Sequence, residues 1–283
     1  MSNPLSLISR RYRRPWFYRL LSLMVALGIG VGSPHPSQAV PWFDLIRQGI
    51  QVIQLSNISD QEEVQLGKRI NQQIVGREFQ PYRDPDVNRY VEQIGQRLAA
   101  KSDRPDIPYT FQVVKDNSVN AFATMGGYVY VTTGLLQAAD NEAQLASVLA
   151  HEIAHITSRH AVEQMRETAI AGGIATAASL DRNVAVRLGV DLALRRPHSR
   201  QDEFEADRRG LETLGRAGYA QSAMVAFMEK LLKEGRSLPT FLSTHPATSD
   251  RIAELKENIN PQKANVGVGL NNAAYKAKIQ PLS

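Results

Sequence analysis

His151-Glu152-Ile153-Ala154-His155 is the stretch whose residue types and spacing can do chemistry. On a helix, side chains four apart share one face about 5–6 Å from each other, so both imidazoles reach a single metal ion. Glu152 lies one step, about 100°, round the helix from His151, which sets a carboxylate beside that ion without coordinating it. There it can take a proton from water. A two-histidine site with an open position suits zinc, which lowers the pKa of a bound water to roughly 7. The same five residues also fit an ordinary helix with exposed polar side chains, so the rest of the chain has to decide.

A zinc hydrolase needs a third protein ligand. Six residues after His155 stands Ala161, and position 158 holds Ser158 where a glycine would be required, so the metzincin arrangement is excluded. His160 misses that register by one residue and, on one continuous helix, points away from His151; it reads as structural. The better candidate lies in Ser199-Arg200-Gln201-Asp202-Glu203-Phe204-Glu205-Ala206-Asp207. Glu203 and Asp207 share a helix face, and the small Ala206 beside them allows close approach to another helix. Glu203 could then bind the metal while Asp207 accepts a hydrogen bond from a ligand imidazole and fixes its tautomer. The alternative is a solvated acidic face balanced by Arg208 and Arg209.

Several elements must position these groups. A capping box at Ser59 to Glu62 predicts a helix reaching Val75, and Asp84-Pro85 opens a second helix reaching about Lys101. Tyr109 to Val114, Asn120 to Ala123 and Tyr128 to Thr132 read as strands, with a turn at Lys115 to Ser118 and a hairpin at Gly126-Gly127. Asp140 or Asn141 then caps a long helix whose apolar spacing carries it past His160. Further helices are predicted over residues 183–195, 201–215, 221–233 and 250–257, and the last 25 or so residues read as a loosely held tail. Residues 169–180 form an apolar Ala/Gly-rich segment, too short to span a bilayer, that suits either a packed helix or a mobile lid.

The chain of 283 residues is 43% hydrophobic, enough for a real core, and its charge of +5 invites a nucleic-acid reading. Location removes that reading. Arg10, Arg11, Arg13, Arg14 and Arg19 are the only charged side chains among residues 1–39 and account for the whole surplus, so the remainder is neutral and no nucleic-acid partner is expected. Those residues resemble an export signal: an arginine-rich start, the apolar run Leu20 to Gly32, then Ser37-Gln38-Ala39 as a cleavage site. An uncleaved anchor is the alternative. Residues 40–58 read as an arm on a domain spanning 59–257, followed by the tail over 258–283. With 0 cysteines, disulfides, thiol catalysis and cysteine metal ligands are excluded.

HEIAH, followed by SRQDEFEAD and then by Ser243-Thr244-His245-Pro246 with Arg251, resembles the gluzincin metallopeptidases that include HtpX and the CAAX prenyl proteases. The nearest likeness is to their soluble exported BepA-like branch. Asn120-Ala121-Phe122-Ala123, Gly126-Gly127 and Gly134-Leu135-Leu136 match the strand pattern before the zinc helix, and the likeness runs from about Ser59 to Leu255. It implies one zinc held by His151, His155 and Glu203, with Glu152 as catalytic base and Asp207 behind the ligands. It further implies that Asn120, Ala121, Phe122 and Ala123 supply an edge strand on which substrate lies extended, and that His245 stabilises the oxyanion or transiently occupies the open position on the metal. HtpX-like members carry transmembrane helices around the catalytic segment and BepA-like members carry helical repeats after it; neither is expected here.

The expectation is therefore an α+β, mostly helical zincin-like fold with a small antiparallel sheet, acting as an exported zinc metalloendopeptidase. Edge-strand pairing recognises backbone, so unfolded or misassembled envelope polypeptides in the periplasm or another extracytoplasmic compartment are the natural substrates. Two rivals belong to other classes: a zinc-binding chaperone or assembly factor of the same fold, and a protein that associates peripherally with membranes through residues 169–180.

Overall fold

The computed structural model describes residues 52–53, 55–172, 180–233, 240–246, 249–262 and 264–282. The expected signal segment, most of the arm, and residues 173–179 of the apolar segment lie outside the described residues. The first helix, α1 (Asp60–Gln73), begins as the capping box requires, with Ser59 and Glu62 each bonding the other's backbone. In α2 (Pro85–Ala99) the Asp84 carboxylate accepts from the N–H groups of Asp86 and Val87, and Pro85 occupies a first-turn position where no N–H is needed.

Three strands follow: β1 (Thr110–Val114), β2 (Ala121–Thr124) and β3 (Tyr128–Thr132). The expected antiparallel sheet is in fact mixed, in the order β1-β3-β2, with β1 parallel to β3 and β2 antiparallel to it. Met125, Gly126 and Gly127 form the three-residue loop between the paired residues Thr124 and Tyr128, and the two glycines adopt φ of +77° and +96°, the left-handed region that closes a tight hairpin, so β2 and β3 run oppositely. The stretch between β1 and β3 is itself the crossover that a parallel pair needs, and β2 is made from it. Asp116 anchors that crossover, its carboxylate accepting from Ser118 N–H at 2.7 Å and its backbone N–H donating to Thr133 Oγ1 at 3.2 Å. Among the described residues β2 pairs with β3 alone, which leaves it at the edge.

A short helix, α3 (Thr133–Ala138), leads into α4 (Glu142–Thr157), where Asn141 is the cap that forms, its side chain accepting from Gln144 N–H. Contrary to expectation, α4 stops at Thr157. Ser158 and Arg159 turn the chain, Arg159 with φ +60°, and α5 (His160–Ala171) starts afresh. The remaining helices are α6 (Arg182–Arg195), α7 (Arg200–Arg216), α8 (Ser222–Lys233), α9 (Thr240–Thr244), α10 (Ser249–Asn258) and α11 (Asn272–Lys278). No helix of the described residues is long and apolar enough to cross a membrane.

The main core packs α4 against α2, β1, β3, α7 and α8, with Val91, Leu98, Val131, Leu149, Leu214 and Phe227 among its buried side chains. A second cluster, with Leu66, Ile70, Phe122, Tyr130 and Met165, joins α1 and α5 to the outer face of the sheet. The C-terminal residues, expected as a loose tail, instead pack on the domain. Tyr275 is buried with its hydroxyl donating to Leu136 O at 2.7 Å, and Gly269 O accepts from Ala143 N–H at the start of α4 at 3.0 Å. A few large apolar groups suffice for this because they are placed in the gap beside α3.

Close approach of α7 to α4 depends on small residues. Ala206 is fully buried, and a Cβ added to Gly210 would lie 3.1 Å from both Cα and N of His151. Gly210→Val is expected to destabilise the fold by about 1–3 kcal/mol through overpacking against backbone, read as a lower denaturant midpoint. An unchanged midpoint would show that the two helices can separate freely.

Candidate active site

Every residue of α4 from Ala143 to Ile156 is buried, so its polar side chains need partners inside the protein. His151 Nδ1 lies 3.0 Å from Asp207 Oδ1, one turn beyond Glu203 on α7. As the donor in that pair, Nδ1 carries the proton and leaves a lone pair on Nε2. That Nε2 is 3.1 Å from His155 Nε2 and 3.5 Å from Glu203 Oε2, while His155 Nε2 is 3.4 Å from Glu203 Oε1. His245, in the turn after α9, closes the group with Nδ1 at 3.3 Å from His151 Nε2 and 2.9 Å from Glu203 Oε1.

These spacings fit a metal ion. Donors around a tetrahedral ion at roughly 2.0–2.1 Å stand about 3.3 Å from one another, close to what is observed. Imidazole lone pairs and a carboxylate converging in a dry interior repel each other unless a cation lies between them. One donor atom from each of His151, His155, Glu203 and His245 falls within 4.8 Å of all the others. Two nitrogens and an oxygen, with a third nitrogen from His245 close by, form a donor set that suits zinc better than a hard cation such as magnesium or calcium.

Glu152 is fully buried and neither carboxylate oxygen has a hydrogen-bond partner; the His245 ring approaches it with Nε2 3.4 Å from Oε1. Burial pushes this carboxyl above its ordinary value, against the opposing pull of His245 and His151. The other carboxylates behave oppositely. Burial would raise Glu203 and Asp207, but the surrounding histidines hold Glu203 well below the carboxylate range, and Arg251 with His151 holds Asp207 below it. For His151, burial favours the neutral ring, yet Asp207 and Glu203 carry its pKa up to about 9. A cluster that attracts a proton this strongly offers a bound cation the same field.

Arg251, in α10, touches both of these carboxylates. It grips Asp207 with Nε at 2.6 Å and Nη2 at 2.7 Å, reaches Glu203 with Nη1 at 2.5 Å, and donates to Pro246 O at 2.9 Å. The fork thus ties both α7 carboxylates to the turn bearing His245.

The hairpin residues lie beside this cluster. Asn120 precedes β2, its N–H donating to Thr132 Oγ1 and its carbonyl accepting from Thr132 N–H, both at 3.1 Å; Ala121 and Phe122 are buried, and Phe122 stacks on Tyr130 at 4.6 Å between centroids. Ala123, half-buried, lines a small cavity with His155 and His198. Helix α6 lies against the same strand.

A family model described as peptidase family M48 matches residues 85–259, more than half of the chain. The chain belongs to peptidase family M48. Among its M48 relatives, the beta-barrel assembly-enhancing protease of Escherichia coli (strain K12) is 32% identical over 243 residues, covering 80% of this chain and 50% of that protein. A protein of the same name from Yersinia pestis is 34% identical over 196 residues, covering 64% of this chain and 40% of its own length. Mitochondrial metalloendopeptidase OMA1 of Schizosaccharomyces pombe is 33% identical over 175 residues, 59% of this chain and 52% of the relative. The chain thus spans about half the length of these relatives. The M48 match covers α2 through α10 and so contains every residue of the histidine and carboxylate cluster.

Three residues of the cluster's surroundings were not assigned a chemical place by sequence reasoning. His160, read as pointing away, stands with Nδ1 2.8 Å from His155 Nδ1, because the turn at Ser158-Arg159 redirects it. His198 stacks on His155 at 4.0 Å between centroids, and its backbone N–H donates to Thr244 O at 3.2 Å. Burial, with His245 nearby, drives the His198 ring down to a pKa of about 3, so it sits there neutral. Arg251 stands in the sequence only as the arginine after the His245 motif, with no local sign of its partners. The available signal was compositional: 5 of the 6 histidines fall at or after position 151 and all converge on one place.

Proposed function

We propose that this chain is a zinc-dependent metalloendopeptidase that hydrolyses peptide bonds of unfolded or misassembled exported polypeptides. The observation that carries the reading is the convergence of His151 Nε2, His155 Nε2 and Glu203 within 3.1–3.5 Å of one another beside an unpartnered, buried Glu152 carboxyl. Membership of a peptidase family and relatives named as proteases support it.

His151, His155 and Glu203 would hold the metal. Zinc bound there would supply Lewis acidity, polarising the scissile carbonyl and lowering the pKa of a water toward roughly 7. Glu152 takes a proton from the attacking water as the oxygen bonds to the carbonyl carbon, then passes it to the amine as the carbon–nitrogen bond breaks. Asp207 accepts from His151 Nδ1 at 3.0 Å and keeps its Nε2 free for the metal. The free edge of the strand formed by Asn120, Ala121, Phe122 and Ala123 pairs with an extended substrate through the backbone groups that do not already bond β3, a recognition that depends on an unfolded chain rather than on its sequence. His245 Nδ1 lies 3.3 Å from His151 Nε2 and 2.9 Å from Glu203 Oε1, from where its ring would either stabilise the developing oxyanion or transiently occupy the open position on the metal.

Export of the chain through residues 1–39 would place this activity in the periplasm or another extracytoplasmic compartment. Quality control during assembly of β-barrel membrane proteins is the most specific setting, supported by the names of the bacterial relatives. The deciding experiment measures metal content and casein hydrolysis together. Protein lacking residues 1–39 and loaded with one zinc should cleave unfolded casein, lose at least ~100-fold in rate on chelation, and recover with stoichiometric zinc. Zinc-loaded protein that cleaves no unfolded chain would overturn the assignment.

A further inference from the structure

Arg159 is the one non-glycine residue with positive φ among the described residues, at φ 60° and ψ 28°. That conformation costs an ordinary side chain about 1–2 kcal/mol, so something must hold it. Its own side chain does so: Nη2 donates to Ile58 O at 2.6 Å, and Nε lies 3.1 Å from Glu63 Oε2. Glu63 is fully buried, pairs also with Arg104 at 3.0 Å, and Arg104 in turn donates to Ile156 O at 3.0 Å on the last turn of α4. The end of the histidine helix is thereby clamped to α1.

The effect of this corner is to bring His160 back. Five positions along an uninterrupted helix lie about 140° away from His155, out of reach. After the turn, the two rings meet edge to face with centroids 4.9 Å apart and Nδ1 to Nδ1 at 2.8 Å. Only one of these nitrogens can donate. The Nε2 of His155 faces His151 and Glu203 and supplies the lone pair a metal requires, so the proton of its neutral ring is on Nδ1. His160 Nδ1 is consequently the acceptor and its Nε2 bears the hydrogen. That Nε2 has Glu205 Oε2 at 3.6 Å and Asp202 Oδ1 at 3.9 Å, two carboxylates on α7 that favour an N–H in this place. Glu205 is steadied by Ser158 Oγ at 3.1 Å and Arg209 Nε at 2.8 Å.

We propose that His160 is a positioning residue for the metal ligand His155, accepting the His155 Nδ1–H so that Nε2 is held as a lone-pair donor, with Arg159 supplying the turn that delivers it. The proposal rests on the metal-site reading above. It makes the two histidine ligands chemically unlike: His151 is oriented by a carboxylate and His155 by a neutral ring. His155 is the less polarised ligand as a result, and the site gains orientation without a third buried negative charge.

The test measures zinc dissociation constants by competition with a chelating dye for the full chain and for His160→Ala, His160→Asn and His155→Ala. Melting temperatures of the metal-free forms show that each variant is folded. Asparagine places Oδ1 where His160 has Nδ1, so it preserves the acceptor. His160→Ala is expected to weaken zinc about 10–100-fold and His160→Asn to restore it to within about threefold of wild type. Long-range proton–nitrogen NMR of the zinc-bound wild-type protein should show His155 protonated on Nδ1, a readout independent of any variant's folding. His160→Ala binding zinc within about twofold of wild type, or His155 protonated elsewhere, would overturn the proposal. If wild type takes up no zinc, or His155→Ala binds it as tightly, the metal-site reading fails first and takes this inference with it.

Discussion

Glu152→Gln is expected to lower casein hydrolysis by about 10²–10⁴-fold while leaving zinc stoichiometry unchanged and the melting temperature equal to or above wild type. The rate follows from losing the group proposed to accept water's proton: an amide has the carboxyl's shape but no basicity. The stability follows from burial. Glu152 is 0% exposed and neither oxygen is hydrogen-bonded, so the fold already bears the cost of removing a carboxyl group from water. Glutamine does not need to be kept neutral by its surroundings, which removes part of that cost. Calorimetry, metal analysis and a hydrolysis time course on the two proteins decide the matter. Wild-type hydrolysis by the variant would remove Glu152 from the mechanism. Lost hydrolysis with retained biological function would instead favour a chain-holding role for the same fold.

Arg251→Met should be the most destabilising single substitution around the site, by about 3–5 kcal/mol in the metal-free protein. Arg251 is 2% exposed, with Asp207 and Glu203 themselves at 4% and 1%. Removing the guanidinium leaves two buried carboxylates facing histidines alone. For a domain of this size the loss corresponds to a fall of about 6–20 °C in melting temperature. Lysine is not a conservative replacement, since one ammonium cannot bridge Asp207, Glu203 and Pro246 O together. Two further outcomes identify the cause. Adding Asp207→Asn to Arg251→Met should cost less than the sum of the single changes, because the second substitution removes one of the orphaned charges. Zinc should recover part of the lost stability by taking over the charge of Glu203. A melting temperature within 2 °C of wild type, roughly the effect of 1 kcal/mol or less, would show that the carboxylates do not depend on Arg251.

Local chemistry made much of this molecule legible before any coordinates. Ser59 with Glu62 and Asp84 before Pro85 are helix starts because the Ser59, Glu62 and Asp84 side chains satisfy N–H groups within three residues and Pro85 has no N–H to satisfy, and both formed. The glycine pair at 126–127 dictated a hairpin, since only residues free to adopt positive φ close it. The spacing of His151, His155, Glu203 and Asp207 marked two helix faces that had to meet, and they do, across small residues.

What the sequence determined by itself was therefore the candidate groups: a pair of histidines with a glutamate between them and a downstream acidic pair, each on a helix, in residue types that suit a metal ion. Tertiary structure decided the rest. The mixed sheet depends on where β3 inserts, which is a contact between distant segments and has no local signature. The break after Thr157 depends on Glu63 and Ile58, about 100 residues upstream, holding Arg159 in a conformation its own type disfavours. With that turn His160 meets His155, and with α10 packed in place Arg251 meets Asp207 and Glu203. Such partners are invisible in a linear reading because a hydrogen bond or an ion pair acts over about 3 Å of space, whatever the separation along the chain.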